Sequence, residues 1–311
     1  MKFIQAAKKR SDSKIAELRE VLKTENTTFA IVVGGSLARG EASDESDIDY
    51  FFFGDDDQAV ESAKVFLTSK QNEIAKIVGK SPSADGAFGS SACETEKALI
   101  TDIGGNDDKN EKITRRILFL LEGTWLTSEQ TFEKYRNAVL NRYVSQYIEP
   151  HHLCRFLLND IIRYYRTICV DFEFKTVERD KEWGLRYIKL RYSRQLLYFS
   201  GLIAVAETVG LSHDDKIKKL VQLFDMTPID RIKTVCGESS STALKLYENF
   251  LINISDATTR NALNSVTVKK TTHTGAFSTL QKKGHDFTVA LSKIITDTYP
   301  PHHVIHNALI F

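Results

Sequence analysis

The sequence predicts an α+β module with a small sheet, followed by an all-α domain. Three observations carry this reading. Two short apolar runs, Thr28–Val33 and Asp47–Phe53, flank a Gly-Gly-Ser turn. Helical periodicity brackets them, over residues 1–25 and from Asp55 to about Val78. From Ile113 onward apolar residues recur at helical spacing in one segment after another.

Taken in order, Phe3, Ile4, Ala7, Ile15, Leu18 and Leu22 recur at near-helical intervals and predict a first helix. Thr28–Val33 reads as a buried strand. In the second strand side chains alternate, so Asp47 and Asp49 share one side while Ile48, Tyr50 and Phe52 enter a core. Asp55 and Gln58 resemble a capping box that starts the next helix. Ser81–Ser91, rich in Ser, Gly and Ala, reads as a loop holding one short strand, and Gly104–Asp108 as a turn cluster. Helices are then predicted over Ile113–Gly123, Thr127–Ile148 (opening on a Thr127/Gln130 capping box), His151–Val170 and Lys181–Thr208. Further ones cover 213–225, 239–254 and 275–298. The change of character sets the expected domains at 1–115 and 116–311. No internal repeat marks the helical part as a solenoid.

Bulk properties narrow the class. A chain of 311 residues can bury one large or two ordinary cores. With 27% charged residues and a net charge of +1, nothing in the composition supports an extended nucleic-acid footprint. The four cysteines are widely spaced with no CxxC pair, which reads as reduced thiols. The N-terminal pattern is amphipathic rather than a signal peptide, and no apolar run approaches the ~20 residues of a membrane span. A cytoplasmic protein without membrane contact is the expectation.

The chemistry lies in Val33–Phe53. Two carboxylates side by side repel unless a cation sits between them, and an oxygen-only pair suits Mg²⁺ (or Mn²⁺) carrying substrate phosphates. The Gly34-Gly35-Ser36 turn, leading into a helix, offers backbone N–H groups to those phosphates. Metal pair and phosphate cradle together are the apparatus of nucleotidyl transfer. A solvated acidic hairpin is the plain alternative, but these acids open an almost purely apolar strand.

Gly35-Ser36, Ala38-Arg39-Gly40-Glu41-Ala42 and Ser46-Asp47-Ile48-Asp49, in that order, resemble the signature of the nucleotidyltransferase superfamily that includes DNA polymerase β. The nearest variants are the minimal nucleotidyltransferases and the uridylyltransferases of nitrogen-regulatory proteins. The resemblance implies a nucleotidyltransferase module with a small mixed sheet and a divalent metal held by Asp47, Asp49 and a third carboxylate. Candidates for the third are Asp85, Glu94, Glu96 and Asp102. Asp85 is favoured because it precedes Gly86-Ala87-Phe88, as a similar acid does in the uridylyltransferase-like relatives. Its alternative is a plain Asp-Gly turn. Ser36 would donate to the β and γ phosphates. Arg39 either reaches a phosphate or pairs with Glu41 or Asp44 to hold the loop.

Within the helical domain, Lys181–Arg194 packs cations among Trp183, Tyr187 and Tyr192. Lys189 and Arg194 are candidates for the triphosphate, as a Lys from the helical domain serves in related enzymes. A solvated basic face is the alternative. Arg115-Arg116 reads as structural, pairing with Asp107 or Asp108. His302, His303 and His306 read as a tail rather than a metal site. The expected activity is transfer of an NMP from an NTP, ATP among them, to a hydroxyl on a protein, a tRNA or a small molecule, with release of pyrophosphate. The resemblance also points to a regulatory, toxin–antitoxin or phage-defence role. A non-catalytic nucleotide-binding regulator is the alternative from another class.

Overall fold

The computed structural model describes residues 1–44, 46–79, 92–179, 181–267 and 275–310. The chain forms two compact units, one of Gln5–Pro150 with Leu211–Thr227, the other of Met1–Ile4, His151–Gly210 and Pro228–Phe311.

The first unit opens on α1 (Lys2–Val21), β1 (Phe29–Gly34), the single turn α2 (Gly35–Ala38), β2 (Asp49–Gly54) and α3 (Asp57–Val78). Then come β3 (Cys93–Thr95), α4 (Glu96–Ile100), α5 (Asn110–Leu121), β4 (Thr124–Trp125) and α6 (Glu129–Tyr143). The four strands form one mixed sheet in the order β3-β2-β1-β4. β1 pairs antiparallel with β2, from Phe29 opposite Gly54 to Gly34 opposite Asp49, and antiparallel with β4. β3 runs parallel to β2, with Phe52 opposite Cys93.

Both faces of this sheet are buried, which explains why β2 is a nearly continuous apolar run. Phe29, Ile31, Val33, Tyr50 and Phe52 join Leu18 of α1, Leu22 just past its end, and Ala63 and Leu67 of α3 in one core. On the other face Phe51 and Phe53 meet Phe119 of α5, with Phe53 and Phe119 rings 4.9 Å apart edge to face. Phe132 of α6 continues the chain of rings 5.1 Å from Phe119. The expected boundary at 115/116 therefore falls inside α5, a helix that covers the sheet, and the compact unit continues to Pro150.

Two helix caps sit one residue later than expected. Asp56, not Asp55, caps α3 by accepting the Ala59 N–H at 2.8 Å. Asp55 instead accepts from Lys134 Nζ and Tyr135 Oη at 2.6 and 2.8 Å. Ser128, not Thr127, caps α6, and Thr127 Oγ1 accepts the Ile31 N–H at 3.1 Å. The arginine pair is structural, as read. Arg116 forks onto Asp108 with two bonds of 2.9 Å and donates to Tyr143 Oη at 2.6 Å, its side chain and that of Asp108 fully buried. Arg115 pairs with Glu94 at 2.8 Å.

In the second unit α7 (Arg155–Glu173) runs into a π-helical turn, Phe174–Glu178. α8 (Gly184–Lys189) and α9 (Gln195–Ala206) are joined by another such turn, Leu190–Arg194. α10 (His213–Phe224) belongs to the first unit. There Lys216 Nζ donates to the Pro150 carbonyl at 2.9 Å, and Asp225 pairs with the buried Arg136 of α6 at 2.6 Å. The second unit is completed by α11 (Pro228–Cys236), α12 (Ser241–Ser255), α13 (Ala257–Asn264), α14 (Gly275–Thr298) and α15 (Val304–Ala308). Tyr192 stacks on Phe250 at 4.5 Å in its core. Two of the three C-terminal histidines are not a loose tail: His303 caps α15 by accepting the Ile305 N–H, and His306 Nε2 lies 3.1 Å from the Tyr299 carbonyl. Among the described residues no helix is long and apolar enough to cross a membrane. The observed class is thus α+β, with a small mixed sheet and an all-α remainder.

Candidate active site

The site is built where β1 ends. Gly34, still extended, lies opposite Asp49 in the ladder, and α2 begins immediately. Gly35 takes φ +66°, a left-handed conformation that side chains resist. A Cβ at Gly35 would overlap Asp49 Oδ2 and stand 3.0 Å from Asp49 Cγ. The glycine is therefore required twice, for its backbone angle and for the carboxylate lying against it.

Asp49 shares its sheet face with Phe51 and Phe53 and is half-buried, while Asp47, just before the strand, is exposed. A chain of hydroxyls ties the turn to this acidic segment. Ser36 Oγ donates to Ser46 Oγ at 3.1 Å, and Ser46 Oγ accepts the Ser43 N–H at 2.9 Å. α1 supports the loop from beneath, where Ser11 Oγ accepts the Ala42 N–H at 3.1 Å.

Arg39 holds the loop. Its guanidinium is buried, donating from Nε to Glu41 at 2.8 Å and from Nη1 to Glu122 at 2.6 Å. Glu122 Oε1 also accepts the Gly35 N–H at 2.9 Å, so that N–H, expected to face phosphate, is engaged inside the protein. Sequence reasoning missed Glu122. The available signal was an acid closing the apolar run Ile117–Leu121, where a charge needs a buried partner.

Asp85 lies outside the described residues. The other candidates for a third carboxylate are held elsewhere. Glu94 pairs with Phe53 in the β2–β3 ladder, four residues along from Asp49, or about 13 Å at the usual strand rise. Its carboxylate is engaged by Arg115. Glu96 lies 3.5 Å from Lys134, beside Asp55 past the far end of β2. Asp102 accepts the Asp107 N–H at 2.7 Å inside its own turn. Among the described residues no group of three or more His, Cys, Asp or Glu side chains could hold a metal. Asp49 against the Gly35 turn, with Asp47 two residues before it in the chain, offers the hard oxygen donors Mg²⁺ takes, the ion keeping water and substrate phosphates as its remaining ligands.

Lys189 and Arg194 belong to the second unit. Lys189 closes α8 and is half-buried, and Arg194 ends the π-helical turn, with Nη1 buried and lacking a hydrogen-bond partner among the described residues.

The family model for the nucleotidyltransferase domain matches residues 15–83, from the middle of α1 past the end of α3. No curated protein matches the sequence.

Proposed function

Since the chain belongs through residues 15–83 to the nucleotidyltransferase superfamily and is a transferase, we propose that it moves an NMP from an Mg-bound NTP to an acceptor hydroxyl. The observation that carries this is the Gly35 turn, left-handed and pressed against Asp49 at the mouth of β2. Asp47 and Asp49 hold the divalent ion, with Asp85 as the third carboxylate, since Glu94, Glu96 and Asp102 are engaged elsewhere. Bound there, the ion supplies neutralisation of the triphosphate and a more nucleophilic acceptor oxygen. The acceptor hydroxyl gives up its proton to solvent as its oxygen bonds to the α-phosphorus, the bond from that phosphorus to the oxygen bridging to the β-phosphorus breaks, and pyrophosphate leaves.

The remaining residues position and neutralise. The Ser36 hydroxyl turns from Ser46 to a phosphate oxygen. An NTP brings about four negative charges to a site already holding acidic side chains, and phosphoryl transfer is mostly positioning and charge neutralisation. Arg39 is committed to Glu41 and Glu122; Lys189 and its neighbour Arg194 are proposed for the triphosphate because related enzymes use a Lys of the helical domain there. The Nη1 of Arg194, buried and without a hydrogen-bond partner among the described residues, supports that assignment.

The acceptor is a protein, a tRNA or a small molecule, and near-neutral net charge weighs against long RNA. The protein acts in the cytoplasm in a regulatory, toxin–antitoxin or phage-defence setting. The test is incubation of the purified chain with each α-labelled NTP, Mg²⁺ and a cell lysate, with Asp47→Asn and Asp49→Asn alongside. Label on protein, RNA or a small product, lost in both variants, is the expected result. Transfer undiminished in either variant, or none from the native chain, would overturn the reading.

A further inference from the structure

Glu122 lies beyond the matched family segment, and its carboxylate is fully buried. A buried carboxylate is costly unless its oxygens are satisfied. Here they take partners from the two ends of one turn, Oε1 the N–H of Gly35, the first residue of α2, and Oε2 the guanidinium of Arg39, the residue just after it. Gly35 is in turn the residue against which the Asp49 carboxylate rests. A line of contacts therefore runs from Glu122 through Gly35 to Asp49. β4, two residues after Glu122, pairs with Val32 and Val33, which delivers the side chain beside the end of β1.

We infer that Glu122 is a positioning residue for nucleotidyl transfer, pinning the α2 turn so that Asp49 is held in its metal-binding orientation. The inference rests on the transfer reading above. A purely stabilising ion pair explains less. Buried ion pairs add little stability over apolar replacements, and this carboxylate gives one oxygen to the turn's backbone rather than to a cation.

The experiment uses the full chain with Glu122→Gln, Glu122→Ala, Gly35→Ala and the double variant Gly35→Ala/Glu122→Gln. Transfer is measured per folded molecule, against Mn²⁺ concentration and against NTP. Glu122→Gln is expected to lose about tenfold or more in kcat and to need more Mn²⁺ for half-saturation, because a displaced metal ligand costs rate steeply. Its KM for NTP should stay within about threefold, since substrate contacts remain. The double variant should be no slower than the slower single variant, as both act on one contact line. Wild-type kcat and Mn²⁺ dependence in Glu122→Gln, or losses that multiply, would overturn the inference.

A second readout needs no turnover. Gly35 amide exchange should be slow in the native chain and about a hundredfold faster in Glu122→Ala, or in Glu122→Leu, which also lacks an acceptor, should the alanine variant not fold. Equal exchange would overturn the clamp. A native chain that transfers no label would instead defeat the transfer reading and the positioning role with it, while the amide result would still decide the clamp itself.

Discussion

Gly35→Ala is the sharpest perturbation the site offers, because two independent costs meet at one methyl group. At φ +66° an L-residue pays about 1–2 kcal/mol for the left-handed conformation. The methyl would also overlap Asp49 Oδ2 and lie 3.0 Å from Cγ and 3.1 Å from Cβ of the same side chain. Restoring ordinary contact near ~3.5 Å requires the carboxylate to retreat by about 1 Å. A shift of that size in a reacting group costs about 100-fold in rate. For a unit of this size the backbone cost lowers Tm by about 2–8 °C. Two measurements check this: Tm by circular dichroism, and transfer rate at saturating Mg-NTP. The Asp49→Ala background sharpens the test. With the carboxylate gone the overlap disappears, so Gly35→Ala should cost less stability there than in the native chain. An alanine variant with a native rate and native Tm would refute the geometry. Equal stability costs in both backgrounds would refute the claim that Asp49 rests on the turn.

Other perturbations follow from the same description. Ser36→Ala should raise the KM for NTP more than it lowers kcat, with a small loss of stability from the severed Ser46 bond; steady-state kinetics give the split. Arg116→Ala strands the buried Asp108 carboxylate and should cost about 3–5 kcal/mol in urea unfolding, far more than an exposed pair. Partial burial acts to raise the Asp55 carboxyl, but hydrogen bonds from Lys134 and Tyr135 prevail and hold it below the usual carboxylate range. A depressed carboxylate stabilises above its unfolded pKa, and that contribution is lost as pH falls through the folded value. Asp55→Asn should therefore cost at most about 1 kcal/mol at neutral pH, given the exposure of the pair, and less at acid pH. Thermal melts at neutral and acid pH test the sign.

Much of the site was legible because its signals are local. Alternation in Asp47–Phe53 gave the strand and its acidic opening, and Gly34-Gly35-Ser36 announced the turn. Arg116 and Asp108 could be paired across a short stretch of chain. What escaped depends on distant partners. β3 and β4 have three and two residues, too few to carry a period. Periodicity in α5 and α6 revealed an apolar face but not that it lies on the sheet, so the division was expected at 115/116. The partners of Glu122 escaped notice, because nothing near it in sequence shows that Gly35 and Arg39 come to it. For Arg39, sequence left two roles open, and only the folded chain shows both of its carboxylate partners.

The placement of α10 has a consequence for how this protein is made. Arg136 of α6 is buried against Asp225, and Lys216 reaches back to Pro150, so the first unit lacks both partners until about residue 227 has been synthesised. On the ribosome the sheet and its covering helices must wait while the 151–210 segment emerges, and they wait with α6 incompletely covered. A gene fragment ending at Pro150 would reproduce that waiting state permanently. A minimal folded version of the first unit therefore has to bring 211–227 with it, through a short linker replacing 151–210, rather than stop at a C-terminal cut.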